Sequence, residues 1–426
     1  MSAAGPPQGA RPLGGAARSD ARGESSGLLE GVRVVEMGLW VAGPSAGGIL
    51  ADWGAEVVKL EMLTGDPMRT LYSALSGSKE TRCPPFDVHN RGKRSVALDV
   101  NHPEGHALAQ KIVATADVFL TNMRPQFLRR AGLDHEQLLA ANPKLVYGIL
   151  TGYGLTGPDK DAPGFDMAAF SARSGISHRA TPPGGVPPTL PGGMGDNVTA
   201  ITLVAGILGA LLNRERTGRG QLVSTSLMRT GMFCQSMELS AFLALGKVMG
   251  PPSRTRPMNP LMNSYRSGDG QWLWLIGAEA ERHWEPIVNA LGATELLAEE
   301  RFKTARDRRR NAEALVAILD DVFARHTRDE WAAVFAEHDI WWAPVNSYED
   351  LVKDAQAQAC GAFIEMPAMG GRGTQRSLAT PIDFGADTIA TPSAPPQLGS
   401  DTPGVLRELG IDDREIARLR DAKVIA

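Results

Sequence analysis

Cysteine is scarce in this chain: Cys83, Cys234 and Cys360 are its only three in 426 residues, and no two form a CxxC pair. An odd, dispersed set excludes a disulfide framework and a cysteine-rich zinc site, and it fits a reducing cytoplasm. A dominant charge is also missing. With a formal net charge of −4 there is no global basic field to hold nucleic acid or an anionic membrane, so any phosphate must be met by local cations. The apolar stretches are interrupted by Gly, Ser or charge, and no membrane-spanning segment is expected. Residues 1–27 lack the apolar run of a secretory signal; rich in Gly, Ala, Pro and Arg, they read as a disordered tail. The histidines, among them His102, His106, His135 and His178, form no HExxH motif, and GxSxG is absent. Metal catalysis and a serine-hydrolase site are therefore not expected.

What is present is an apolar fraction of 43 %, enough for a globular interior, arranged in a regular alternation. Val32-Arg33-Val34-Val35-Glu36-Met37 reads as a buried strand, followed by a Gly- and Ala-rich turn, a helix over 45–53 and a second strand over 55–61. Helix 103–115, strand 118–121, helix 135–141 and strand 145–150 repeat the pattern. Strands separated by helices imply a mostly parallel, doubly wound, Rossmann-like α/β sheet, with its ligand crevice beyond the carboxyl ends of the strands. Residues 154–196, dense in Gly and Pro, read as long loops before an apolar helix over 199–213. A hairpin over 264–275 with a Gly268-Asp269-Gly270 turn opens a different texture, continued by amphipathic helices near 280–291, 309–325 and 328–337. The expected organisation is a large domain over 28–225, a smaller α+β domain over 226–340, and a return to the first over 341–426.

The first βα turn is not a dinucleotide fingerprint. Gly38, Gly43, Gly47 and Gly48 do not make GxGxxG, and Pro44 removes an amide a pyrophosphate would need, although Glu61 stands where a ribose-binding acid could. Two basic groups flank predicted strands: Arg91, Lys93 and Arg94 before 96–98, and Arg124, Arg129 and Arg130 after 118–121. Guanidinium forks suit phosphate oxygens, while a solvated basic surface explains the same pattern. Two carboxylates stand in the glycine-rich loops: Asp166 in Gly164-Phe165-Asp166-Met167 and Asp196 in Gly193-Met194-Gly195-Asp196-Asn197. An aspartate just before a helix is commonly its N-cap. The same position also suits a nucleophile, with helix amides at hand for a developing oxyanion.

Taken in order, several segments resemble the class III CoA-transferase (CaiB/BaiF) family. They are Leu29-Glu30-Gly31-Val32-Arg33-Val34, Ala42-Gly43-Pro44, Ala51-Asp52-Trp53-Gly54-Ala55-Glu56, Gly65-Asp66, Asn90-Arg91-Gly92-Lys93-Arg94-Ser95, Asn122-Met123-Arg124-Pro125, Gly195-Asp196, Thr217-Gly218-Arg219-Gly220 and Leu398-Gly399-Ser400-Asp401-Thr402. The resemblance implies a Rossmann-like large domain, a small domain and an interlocked homodimer. It also implies that Asp196 is the catalytic carboxylate and that Val41, Ala42, Asn122, Met123, Arg124 and Arg130 line the CoA site. Lys93 and Arg94 would then lie near the CoA phosphates, and Trp40, Phe165, Asp166 and Met194 around the acyl group. Coenzyme A is expected as substrate rather than as a resident cofactor, with an acyl-CoA and a carboxylic acid acceptor as the partners. A racemase relative has a histidine at the position of Phe165, which cannot move a proton, so transfer is preferred to racemisation. An inactive CoA-binding protein is the non-enzymatic alternative. The glycine-run loop of formyl-CoA transferase is absent from 251–263, which argues against oxalate or formate as substrates, and Met123, Phe165, Met167 and Met194, expected near the site, favour a larger, apolar acyl group.

Overall fold

The computed structural model describes residues 27–76, 83–247, 253–368, 373–385 and 393–426; the expected disordered tail therefore lies outside the described residues except for Gly27. The chain divides into two compact units. The first comprises the chain up to Phe170, Pro191–Gly231 and Phe363–Ala426; the second comprises Ser171–Leu190 and Met232–Ala362.

In the first unit the elements run β1 (Arg33–Met37), α1 (Ala42–Asp52), β2 (Glu56–Glu61), α2 (Met68–Ser76), α3 (Pro84–Asn90), β3 (Arg94–Ala97) and α4 (Pro103–Val113). They continue with β4 (Val118–Thr121), α5 (Pro125–Arg130), α6 (His135–Ala141) and β5 (Val146–Thr151). Local chemistry sets their ends. Pro103 and Pro125 take first-turn positions where no backbone donor is needed, and Asp134 caps α6 by accepting from the amides of Glu136 and Gln137 at 3.1 Å each. The strands are buried along nearly their whole length, as strands covered on both faces must be.

After β5 the chain contains a π-helical turn at Asp166–Ala172, in the second unit α7 (Ile176–Ala180), and then α8 (Met194–Thr217) and β6 (Leu222–Ser226). The region 154–196 is thus less loop-like than its Gly and Pro content predicts. The six strands form one parallel sheet in the order β3-β2-β1-β4-β5-β6. That is the doubly wound order, in which the direction of winding reverses between β1 and β4 and opens a crevice at their carboxyl ends. Helix α8 corrects the expectation of no spanning-length stretch: by length and composition alone it could cross a membrane. Its Ala200, Leu203, Val204, Ile207 and Leu211 are buried at helical spacing, and it packs on β5, β6 and α1, as the core helix of a folded unit does.

In the second unit, α9 (Leu227–Cys234, begun in the first unit) leads to α10 (Ser236–Leu245), the hairpin β7 (Met262–Arg266) and β8 (Trp272–Ile276), and the helices α11 (Trp284–Ala290), α12 (Ala305–Arg310), α13 (Ala312–Phe323) and α14 (Arg328–Glu337). The hairpin turns through Gly268-Asp269-Gly270, and β9 (Trp342–Pro344) adds a third antiparallel strand. Tyr265, Leu273 and Leu275 face a core shared with Trp284, Leu319, Phe323, Trp331 and Phe335. The chain then re-enters the first unit through the antiparallel pair β10 (Phe363–Pro367) and β11 (Thr374–Leu378).

A buried ion cluster crosses the parallel sheet at the start of α1. Glu36 on β1 pairs with Lys59 of β2 at 2.9 Å and with Lys93 at 2.6 Å; all three side chains are fully buried. A Cβ on Gly47 would lie 2.0 Å from Glu36 Oε2, so only glycine lets α1 pass this close to the cluster. Gly47→Ala should therefore destabilise the fold by about 1–3 kcal/mol, as forced overpacking does. Gly209→Ala, at an open position on α8, should be neutral or stabilising by up to about 1 kcal/mol. Denaturant midpoints of the two variants provide the comparison.

Candidate active site

The crevice at the β1–β4 switch point is bordered by the turn from Gly38 to Pro44, and that turn is held from several sides. Lys59 Nζ donates to Gly38 O at 2.9 Å and Lys93 Nζ to Pro44 O at 2.8 Å. The Asn122 side chain, just past β4, accepts from Leu39 N and donates to Leu39 O, both at 2.9 Å. Trp40 N–H donates to Asp66 Oδ1 at 3.1 Å, and Asp66 in turn pairs with Lys59 at 3.1 Å. Trp40 has φ +65, a left-handed conformation that costs an ordinary L-residue roughly 1–2 kcal/mol. The surrounding bonds keep it there. Burial would push Glu36 up, but the ammonium groups of Lys59 and Lys93 outweigh it and hold the carboxyl below its usual range.

Helix α8 brings the two loop carboxylates together in different roles. Its N-cap is Gly193, in a left-handed conformation, so Asp196 is not the cap but sits within the first turn. Asp166 does the capping: its Oδ1 accepts from Gly195 N at 3.1 Å, and the amides of Gly193 and Met194 also donate to it. A Cβ at Gly195 would fall 2.4 Å from that oxygen and 2.2 Å from the Phe170 ring, which explains why glycine precedes Asp196. These amides are therefore committed to Asp166, contrary to the expectation that they await an oxyanion. Among the described residues nothing donates a hydrogen bond to the Asp196 carboxylate. Burial and the neighbouring charge of Asp166 push it up to about 7.

Next to it, Asn197 Oδ1 meets Ser45 Oγ at 2.9 Å and His89 Nε2 at 3.1 Å. The other His89 nitrogen, Nδ1, lies 2.7 Å from Pro85 O. A Cβ built on Gly193 would lie 3.5 Å from Val41 Cγ1 and 3.8 Å from Asn197 Nδ2, so the start of α1 and the start of α8 face each other across a short gap. Ser45, His89, Asn197, Glu36 and Lys59 are participants that the sequence reading missed. For Glu36 and Lys59 a signal was available, since opposite charges flanked by apolar residues inside two buried parallel strands must pair.

The other expected residues divide. Val41, Ala42 and Asn122 belong to the held turn or its support. Met123 follows Asn122 and packs against the sheet core, and Arg124 and Arg130 are exposed at the two ends of α5, with no ion pair formed by either among the described residues. Phe165, Met167 and Met194, which flank the two carboxylates in sequence, are 60 %, 54 % and 46 % exposed, an unusual apolar exposure beside polar groups. Lys93 and Arg94 are corrected. Lys93 is fully buried, with Nζ bonded to Glu36, Pro44 O and Asn90 Oδ1, and cannot meet a phosphate. Arg94 opens β3, away from the carboxyl ends of the strands, and is paired with Glu56 and Glu408 at 2.7 Å each. Glu61 likewise serves structure, paired with Arg69 at 2.6 Å. His102 and His106 do stand four residues apart, but His102 caps α4 by accepting from Glu104 N. No cluster of three or more metal-capable side chains occurs among the described residues.

Fold and site together combine a doubly wound α/β sheet with a carboxylate pushed up to about 7 on a helix packed against it. Residues 29–402 match the sequence model of CoA-transferase family III, and the chain belongs to that family of CoA-transferases. It is 33 % identical over 399 residues to the (R)-2-hydroxy-4-methylpentanoate CoA-transferase of Clostridioides difficile, covering 93 % of this chain and 99 % of that one. It is 34 % identical to the cinnamoyl-CoA:phenyllactate CoA-transferase of Clostridium sporogenes, covering 94 % and 98 %. A CaiB/BaiF family protein from Brucella suis superposes with a TM-score of 0.80 at 30 % identity, over 90 % of this chain and all of that one.

The raised Asp196 carboxyl has a consequence for stability. The native chain keeps a proton between about pH 4 and pH 7 that the unfolded chain has lost, so stability falls as pH rises through that window. Asp196→Asn removes this loss. Its melting temperature relative to the unsubstituted protein should climb from pH 4 to pH 7 and then level off, as thermal unfolding across a pH series will show.

Proposed function

We propose that this enzyme transfers CoA through covalent intermediates on Asp196. The observation that carries the reading is a carboxylate that no donor among the described residues hydrogen-bonds, raised to about 7, within the positive first turn of α8. An aspartate of raised basicity is a better nucleophile than an ordinary one, and near neutral pH a large fraction of it is still ionised. Asp196 attacks the thioester carbonyl and expels CoA thiolate, giving a mixed anhydride. The thiolate attacks the aspartyl carbonyl, releasing the donor acid and leaving an aspartyl-CoA thioester. The acceptor carboxylate attacks that thioester, forming a second mixed anhydride and freeing the thiolate again. Thiolate attack on the acceptor's acyl carbon yields the new acyl-CoA and regenerates the Asp196 carboxylate. Confinement of all partners in one crevice supplies much of the rate. Asn122, Val41 and Ala42 would border the pantetheine arm, with the exposed Arg124 and Arg130 serving phosphates.

For the acceptor we propose a 2-hydroxy acid with a bulky apolar side chain. The names of the two relatives above support this, as do the exposed Phe165, Met167 and Met194. Phe165 has no proton to exchange, and deuterium should not enter the alpha carbon of a 2-methylacyl-CoA. Asp196→Asn should lower transfer by at least about a thousandfold and abolish a CoA adduct in the intact mass. With the unsubstituted enzyme, kcat/KM should rise about tenfold per pH unit below pH 7 and flatten above it. Branched or aryl 2-hydroxy acids should outcompete succinate and glutarate; the reverse order would overturn the substrate class and leave the transfer reading standing.

We also propose a homodimer. The support is an apolar face on the second unit, where Met232, Phe233, Met237, Phe242, Leu243 and Leu245 are exposed and α10 has no buried residue. A patch of this kind on one chain marks an association surface. Sedimentation should give a dimer, and Phe233→Glu with Leu243→Glu should shift it toward monomer.

A further inference from the structure

The amide of Asn197 has an orientation that its neighbours decide. A neutral imidazole carries one N–H, and the two nitrogens of His89 face Pro85 O at 2.7 Å and the Asn197 amide at 3.1 Å. A carbonyl oxygen only accepts, so the close contact requires the proton on Nδ1. Burial, with the cations of Lys93 and Arg91 adding to it against the bonds from Pro85 and Asn197, pushes His89 down to about 4, which keeps the ring neutral. Nε2 is then a bare lone pair and needs a donor. The Asn197 atom facing it is assigned as oxygen, and an oxygen there would set two acceptors against each other. The oxygen and nitrogen of a side-chain amide exchange places by a half-turn, so hydrogen bonding, not shape, selects between them. After that half-turn the NH2 group serves both His89 Nε2 and Ser45 Oγ, whose hydroxyl accepts as readily as it donates.

We propose that His89 and Ser45 lock Asn197 with its carbonyl oxygen turned toward Gly193 and Val41, where it accepts a hydrogen bond from an amide N–H in the pantetheine arm of the acyl-CoA. The geometry supports this recipient. Asn197 follows Asp196 on the first turn of α8, and its outer amide atom lies in the gap between the starts of α8 and α1. In an acyl-CoA a single ethylene bridge separates the thioester sulfur from the first amide N–H. A thioester held at Asp196 therefore brings that N–H to the neighbouring residue. An acceptor at this point binds the arm; it cannot stabilise an oxyanion. Asn197 is in this reading a substrate contact, and His89 a positioning residue acting through it. The inference rests on the proposed acyl transfer at Asp196.

Two measurements test it. The first uses the unsubstituted protein labelled with 15N-histidine, in which the His89 resonances are identified by their loss in His89→Gln. A ring protonated on Nδ1 and bare on Nε2 is expected; protonation on Nε2 alone, or on both nitrogens at neutral pH, overturns the proposal. The second compares an acyl-CoA with its analogue in which the first pantetheine amide N–H is replaced by an ester oxygen. The unsubstituted enzyme should favour the amide by roughly 3- to 10-fold in kcat/KM, the value of one hydrogen bond. Asn197→Ala should lose that preference, chiefly through KM, and His89→Phe should reduce it although Asn197 is retained. An unchanged preference in Asn197→Ala would overturn the inference while leaving transfer intact. Absence of any turnover with the amide substrate would instead count against the reading of Asp196.

Discussion

Two lysines and two carboxylates with almost no access to water organise the turn at the start of α1, at the carboxyl ends of the parallel strands. Glu36 receives Lys59 and Lys93, and Lys59 also meets Asp66. Buried charges are expensive unless every partner is in place, and removing one member of such a set costs about 3–5 kcal/mol. Here the spare donors reach beyond their carboxylates to Gly38 O and Pro44 O, and Asp66 takes the amide of Trp40. The cluster thereby fixes the backbone of the turn that begins α1, including the left-handed Trp40. A turn of this composition would not hold that shape alone. Its position at the reversal of the sheet makes its shape the shape of the crevice wall.

The two aspartates illustrate how environment separates identical side chains. Asp166 is spent on the amides at the start of α8, where a carboxylate both satisfies orphan donors and complements the helix dipole. That occupation leaves Asp196, one residue beyond Gly195, without such bonds and close to a second negative charge. Burial and that charge together raise its basicity. Capping and raised basicity are therefore distributed between the loop after β5 and the helix that follows it. The Gly195 position allows the support to approach.

The corrections to the basic residues share one cause. The family resemblance implies Lys93 and Arg94 near the CoA phosphates, and both are instead consumed by carboxylates distant in sequence, Glu36 for Lys93 and Glu56 and Glu408 for Arg94. Arg91 behaves in the same way with Asp52 at 2.6 Å. Which cation remains available is decided by partners that no local window contains. Arg124 and Arg130, by contrast, stay exposed and form no ion pair among the described residues.

The alternation of β-branched strands with amphipathic helices was sufficient to read the parallel sheet, several element boundaries and the helix that carries Asp196. These are short-range properties, written in side-chain period, capping residues and turn chemistry. The motifs around Ala42-Gly43-Pro44 and Gly195-Asp196 also pointed to the starts of α1 and α8, which the fold brings against each other. The strand order, the exchange of the capping role from Asp196 to Asp166, the burial of Lys93 and the meeting of Ser45, His89 and Asn197 were settled only by the fold. The three polar arrangements depend on contacts between residues 29 to 152 positions apart, and a polar group's role follows from which partner desolvates or hydrogen-bonds it.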